Sequence, residues 1–221
     1  MNDGAGRAWG KAGLMAAAVA CVLAVIPVPA SPHDAGLEIE AAYTAVFRDG
    51  RLTGFQADWR FDELFSLAML NDFDRDSDGA LDAGEIARLS SASLPVLRKS
   101  GFFTHAAIGN QRLTLDAVGP LQATVEDGRV RYRFLLGVSG EPVELRSRKL
   151  AAVLFDPTKA ATLVPAAGEL PLALGEGAPP ACQGWADELS NDKVHGGRVT
   201  VLYLACTGEG PRAGATGNEV R

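Results

Sequence analysis

Between positions 74 and 85 the chain reads Asp74-Arg75-Asp76-Ser77-Asp78-Gly79-Ala80-Leu81-Asp82-Ala83-Gly84-Glu85. Carboxylates at alternate positions can turn inward together, and an all-oxygen ligand set selects a hard cation. The spacing is that of a twelve-residue EF-hand loop, with Asp74, Asp76 and Asp78 at positions 1, 3 and 5. Gly79 stands at position 6, where the chain bends sharply and a positive φ costs glycine little. Ala80 at position 7 offers only its carbonyl, and Leu81 at position 8 ties the loop to the core. Asp82 at position 9 ligates directly or through water, and Glu85 at position 12 can bind with both oxygens. Starting the loop at Asp72 would put Ser77 at the glycine position and Ala83 at the glutamate position, which fixes the register. The expected metal ligands are therefore Asp74, Asp76, Asp78, Ala80, Asp82 and Glu85. The expected ion is Ca²⁺, because Mg²⁺ demands a smaller octahedral cage. Five carboxylates repel without a cation, so binding would count as folding free energy. The competing reading is an acidic surface turn that holds no ion.

Other chemistry is sparse. The three histidines are His33, His105 and His195. No HxxxH, HxH or CxxC spacing joins them into a local transition-metal site. His105, between a Phe pair and an Ala pair, reads first as a structural residue. No GxSxG, HExxH or phosphate-binding loop occurs. Ser139 before Gly140 reads as a turn. Asp62 and Glu63 are explained by a helix start, where acids are favoured. Arg131 and Arg133 alternate with Tyr132 and Phe134 and read as a solvated face, with an anion site as the alternative.

The loop needs a helix on each side. Phe61, Leu64, Phe65, Ala68 and Met69 recur at helical spacing before it. After it, Asp82 and Glu85 have capping-box spacing, Ile86 and Leu89 begin an apolar face, and Pro95 is expected to break the helix. A further turn to Lys99 would stop at Gly101. EF-hands usually pair, yet no second DxDxDG run is present. A lone hand set in a scaffold suits a structural ion better than a switch.

Elsewhere the pattern is β. Leu37, Ile39, Ala41, Tyr43, Ala45 and Phe47 alternate with polar residues. Phe55, Ala57, Trp59 and Phe61 alternate again after Asp49-Gly50, a strong hairpin signal. Asp127-Gly128 repeats the device between Leu121, Ala123, Val125 and Val130, Tyr132, Phe134. Gly109-Asn110 turns a third hairpin, from 106–108 to 113–115. Further strands are expected at 150–155, 160–164 and 199–206, and an irregular stretch at 165–180. The fold class expected is α+β: a mainly antiparallel β-sandwich with an inserted helix–loop–helix, the single EF-hand, at about 61–99.

Arg7 and Lys11, an apolar run from Ala12 to Ile26, and Pro27-Val28-Pro29-Ala30 read as a signal peptide over 1–30. An uncleaved anchor is the alternative. One β-rich domain would follow over 31–206, with a disordered tail over 207–221. Cys182 and Cys206 then remain, either as a disulfide of the exported chain or as two separate thiols. The full chain carries a formal net charge of −6, which with no Lys/Arg stripe argues against nucleic acid.

Trp59-x-Phe61-Asp62-Glu63, the acidic loop, Phe102-Phe103-Thr104-His105 and Phe155-Asp156-Pro157-Thr158 occur in that order. Together they resemble the DUF1007 family from about Pro32 to Cys206. The resemblance implies a periplasmic component of an uncharacterised ABC-type transport system, linked with nickel, cobalt or zinc. Family chains begin His-Pro-His where this one has Ser31-Pro32-His33, and aromatic residues there stand where this chain has Lys159, Ala160 and Ala161. The expected function is a non-enzymatic periplasmic calcium-binding accessory protein, whose partner is a membrane transporter subunit for divalent transition metals. An exported hydrolase braced by calcium is the alternative enzyme reading. A calcium-dependent interaction module pairing through Leu81 is the third.

Overall fold

The computed structural model describes residues 36–190 and 198–206. The expected signal segment, His33, His195 and the tail lie outside those residues.

Alternation forms the first hairpin. Strands β1 (Leu37–Arg48) and β2 (Arg51–Phe61) bury Ile39, Ala41, Tyr43, Ala45, Phe55, Ala57, Trp59 and Phe61. Asp49 and Gly50 turn between them with φ of 51° and 73°, the pair of positive values a two-residue hairpin loop requires. Helices α1 (Glu63–Phe73) and α2 (Ala83–Lys99) follow. Then come β3 (Thr104–Ile108), β4 (Gln111–Arg112), β5 (Leu115–Glu126) and β6 (Arg129–Val138). The last five strands are β7 (Lys149–Leu154), β8 (Ala161–Pro165), β9 (Leu172–Leu174), β10 (Gln183–Ser190) and β11 (Arg198–Ala205).

The expected α+β class holds: two helices and two sheets. One sheet is mixed, in the order β5-β6-β2-β1-β8, with β9 also on β1. The other is antiparallel, β10-β11-β7-β3-β4. Both sheets and both helices feed one apolar cluster. At its centre Trp59 Nε1 donates to Tyr43 Oη at 3.0 Å, and Tyr43 Oη lies 2.9 Å from Thr104 Oγ1. This buried chain links β1 and β2 to β3. Trp59 also meets Phe103 and Phe134, at 5.8 and 4.8 Å between ring centroids.

Three expectations change, and β10 is a strand for which the sequence raised no expectation. The mixed sheet arises because β8 and β9 both run parallel to β1. Residues 172–174, expected irregular, pair with Tyr43–Ala45; a Cβ on Gly175 would come within 2.9 Å of the Ala45 carbonyl. β10 has no clean alternation because it is an edge strand with no buried residue, mostly exposed along its length. The α2 helix runs through Pro95 rather than ending there. Only one i→i−4 bond is lost at a proline, and the helix is anchored beyond it by buried Leu97.

Cys182 and Cys206 are joined in a disulfide across 24 residues of chain, next to the β10–β11 pair. Such a closure contributes about 3.5 kcal/mol on the chain-entropy account. Among the described residues no helix is long and apolar enough to cross a membrane.

Candidate metal centre

The acidic loop connects α1 to α2, and both helix ends are held. Asp62 caps α1: its Oδ1 accepts from Phe65 N at 2.7 Å and its Oδ2 from Glu38 N at 2.9 Å. One carboxylate thus ties the helix start to the first strand. The buried face of α1 is Ser66 and Met69, with Leu70 and Phe73 packed beside the core. The expected stripe is displaced: Leu64 is 72% exposed and Phe65 38%. The reason is the start of β6, where Ser66 Oγ accepts from Val130 N at 2.9 Å and Met69 Sδ lies 3.2 Å from Tyr132 Oη.

Asp74 is the C-cap of α1. Its amide donates to Leu70 O at 2.9 Å, which fixes where its side chain starts. Its Oδ2 accepts from Gly79 N at 2.9 Å, and Asp78 Oδ1 accepts from Ala80 N at 2.8 Å. Ser77 and Gly79 take φ of 59° and 81°, folding the loop back on itself. The result brings Asp74, Asp76 and Asp78 together, with one oxygen of each within 4.8 Å of the others. Asp74 Oδ1 is shielded from water and has no hydrogen-bond partner. The Asp78 carboxylate, and after it burial, push the Asp76 carboxyl above its ordinary range.

The remaining expected ligands do other work here. Asp82 Oδ1 accepts from Glu85 N at 2.8 Å, and Glu85 Oε2 accepts from Asp82 N at 2.9 Å, a complete capping box. Glu85 Oε1 accepts from Arg75 N at 2.6 Å, and Arg88 stands 3.8 Å away. Glu85 is buried, and neither it nor Asp82 belongs to the aspartate cluster. Each Glu85 oxygen keeps a second lone pair, so capping and ligation are compatible. Ala80 is exposed, and Leu81 packs beside the core.

The family-like motifs turn out to be joints of the fold. Trp59, Phe61, Phe102 and Phe103 are buried. Asp156 is buried too, and accepts from the amides of Thr158, Ala160 and Ala161 at 2.8, 2.9 and 3.0 Å and from Thr158 Oγ1. The Asp-Pro-Thr run signals such a side-chain turn, and the turn delivers β8 to its place beside β1.

Arg131 and Arg133 face outward as expected, and both are paired. Arg131 Nε and Nη2 donate to Asp58 at 2.6 and 2.8 Å, and Arg133 Nε donates to Asp58 Oδ2 at 2.8 Å. Arg131 also reaches Glu126 at 3.0 Å, while Arg129 donates to Glu40 at 2.8 Å. Burial pushes the Asp58 carboxyl up, but the hydrogen bonds from Arg131 and Arg133 outweigh it and hold that carboxyl below its ordinary range. Charge alternation along β6 gave the sign of this face; its carboxylate partners come from β1, β2 and β5 and needed the register.

Residues 16–159 match the model of DUF1007, a family of proteins of unknown function. The chain belongs to that family. The matched part ends at the Asp156 turn, so β8 to β11 fall beyond it. The chain is also similar to an uncharacterized 15.5 kDa protein from the trpE 3' region of Spirochaeta aurantia. The two are 29% identical over 93 residues, which is 41% of this chain and 63% of that relative. The aligned part therefore spans less than two thirds of the relative's length.

Proposed function

We propose that this DUF1007 chain is an exported accessory protein whose EF-hand holds one Ca²⁺ as a structural staple. The unpartnered Asp74 Oδ1 carries the reading: a shielded carboxylate oxygen without a donor is costly, and a cation beside Asp76 and Asp78 removes that cost. The raised Asp76 carboxyl points the same way, since like charges are gathered and, among the described residues, none of the three is ion-paired. Asp82 and Glu85 would complete the shell from the start of α2. The ion would then lock the end of one helix to the start of the next. A staple fits better than a switch because Met69, Leu89 and Leu97 are already buried in the common core. The two sheets sharing that core are read as the layers of a sandwich.

The disulfide suits an oxidising compartment, which supports a periplasmic location. A transporter subunit for divalent transition metals is the partner implied by the family resemblance. The hydrolase alternative draws little support: His105 and Asp116 line one cleft, but Asp116 Oδ1 is already taken by Arg98 Nε and the Ala117 amide.

Calorimetric titration of the purified chain tests the calcium reading. A single saturable Ca²⁺ site is expected, weakened on the order of tenfold or more in Asp74→Asn and Glu85→Gln through loss of a charged ligand. No heat of binding at millimolar Ca²⁺, or unchanged affinity in both variants, would sink it.

A further inference from the structure

The outward side of the antiparallel sheet carries a cleft of about 670 Å³, the size of a small-molecule site. Its floor follows from register. β3 buries Thr104, Ala106 and Ile108, so His105 and Ala107 face the other way. His105 stands opposite Val153, and Ala107 stands between Ala151 and Arg112. The small side chain of Ala107 lies on the floor of the cleft, and Leu113 and Leu115 wall it.

The polar lining is cationic. Asp116 is its one carboxylate, and that group is occupied by Arg98 at 2.9 Å. Arg112 is exposed and has no ion pair among the described residues. The His105 ring lies 4.3 Å from the Phe155 ring between centroids. On its other side Gly101 gives it room: a Cβ there would approach His105 Cε1 to 3.0 Å. His105 Nε2 is shielded and has no partner. Burial, and the positive charge of Arg112, hold the imidazole below its ordinary range. In a chain of net charge −6, a guanidinium unpaired among the described residues and an imidazole whose Nε2 has no partner share one apolar-floored cleft.

We propose that this cleft binds a small organic acid, with its carboxylate on Arg112 beside His105 and its apolar body on Ala107, Val153 and Leu113. A guanidinium fork matches a carboxylate. The apolar floor favours an organic acid over an inorganic anion, which would leave that floor wet. The site is separate from the acidic loop and does not depend on calcium.

Benzoate, its neutral counterpart benzamide, and inorganic phosphate are the probes, titrated into labelled protein by NMR. Benzoate is expected to shift the His105 ring and Val153 methyl signals saturably. It should also raise the His105 pKa, because a carboxylate favours the charged imidazole. Arg112→Gln should weaken benzoate on the order of tenfold. Ala107→Leu, which fills the floor without touching a charge, should abolish binding. No saturable shift, equal binding of benzamide, phosphate binding as tightly as benzoate, or full affinity in Arg112→Gln would each overturn the proposal.

Discussion

The acidic loop and the outer face of the mixed sheet both crowd carboxylates, yet their charges are balanced differently. On the sheet, Asp58 and Glu126 meet Arg131 and Arg133 from neighbouring strands, and Glu40 on β1 reaches Arg129 on β6 past β2. Asp58 sits below its ordinary range as a result. In the loop, Asp74, Asp76 and Asp78 converge within one short segment; Arg75 stands in it, yet among the described residues no guanidinium pairs with these three carboxylates, and Asp76 sits above its range. The difference is one of geometry. A strand ladder can set an arginine from one strand opposite an aspartate on the next. A tight loop that folds its own carboxylates inward leaves no room for a long cationic side chain. Sheet carboxylates are neutralised by the chain; the loop carboxylates have no such counterion, which is what the proposed Ca²⁺ would supply.

Calcium removal is expected to produce the largest effect. With Ca²⁺ at a thousandfold excess over Kd, binding adds about 4 kcal/mol. For a chain of this size that moves the melting midpoint by roughly 10 °C, read by calorimetry with calcium against EGTA. An unchanged midpoint breaks the comparison on the loop side. Next comes Arg131→Met, which keeps the stem and removes the fork, leaving Asp58 and Glu126 under-paired. It should cost about 2 kcal/mol, between the values of exposed and buried pairs. The loss should be the same in calcium and in EGTA, since the network lies on β2, β5 and β6 and not on the helices. A loss that calcium rescues would mean the two clusters are coupled.

The comparison also separates what the sequence disclosed from what it hid. Both Asp-Gly hairpins could be read, because a two-residue turn and flanking alternation are local. The aspartate triad could be read for the same reason: its members lie within five consecutive residues, 74–78. Glu85 was harder, because the spacing that makes it a position-12 ligand also makes it the N3 residue of a capping box. The partners of Arg131 were hidden, since Asp58 lies 73 residues away and Glu126 across a hairpin. β9 and β10 were missed for a related reason. β9 owes its place to a parallel pairing with β1, and β10 to its pairing with β11 and the nearby disulfide, rather than to alternation of their own. The outward turn of Leu64 followed from Val130 and Tyr132 claiming the other side of α1, contacts more than sixty residues apart in sequence.

The smallest expected effect is a pH dependence, and it carries opposite signs in the two regions. Asp58 is lowered in the fold, so its contribution is present above the unfolded pKa and is lost as pH falls through the folded value. Asp76 is raised, so its neutral form is favoured in the fold. That contribution is present below the unfolded pKa and is lost as pH rises through the folded one. In calcium-stripped protein the two trends oppose each other, and stability should vary little through the carboxylate range. On the proposed reading, calcium would compete with the proton on Asp76 and leave Asp58 alone. The melting difference between calcium-loaded and stripped protein therefore isolates the loop, because the network cancels in the subtraction. That difference should shrink on acidification, with its half-point above the ordinary aspartate value of about 3.9. Asp76→Asn should move the half-point down, since it removes the proton that competes with the ion. A half-point below the ordinary value in the parent chain would show that the loop carboxylates do not repel one another as their packing requires, and the contrast with the sheet network would fail.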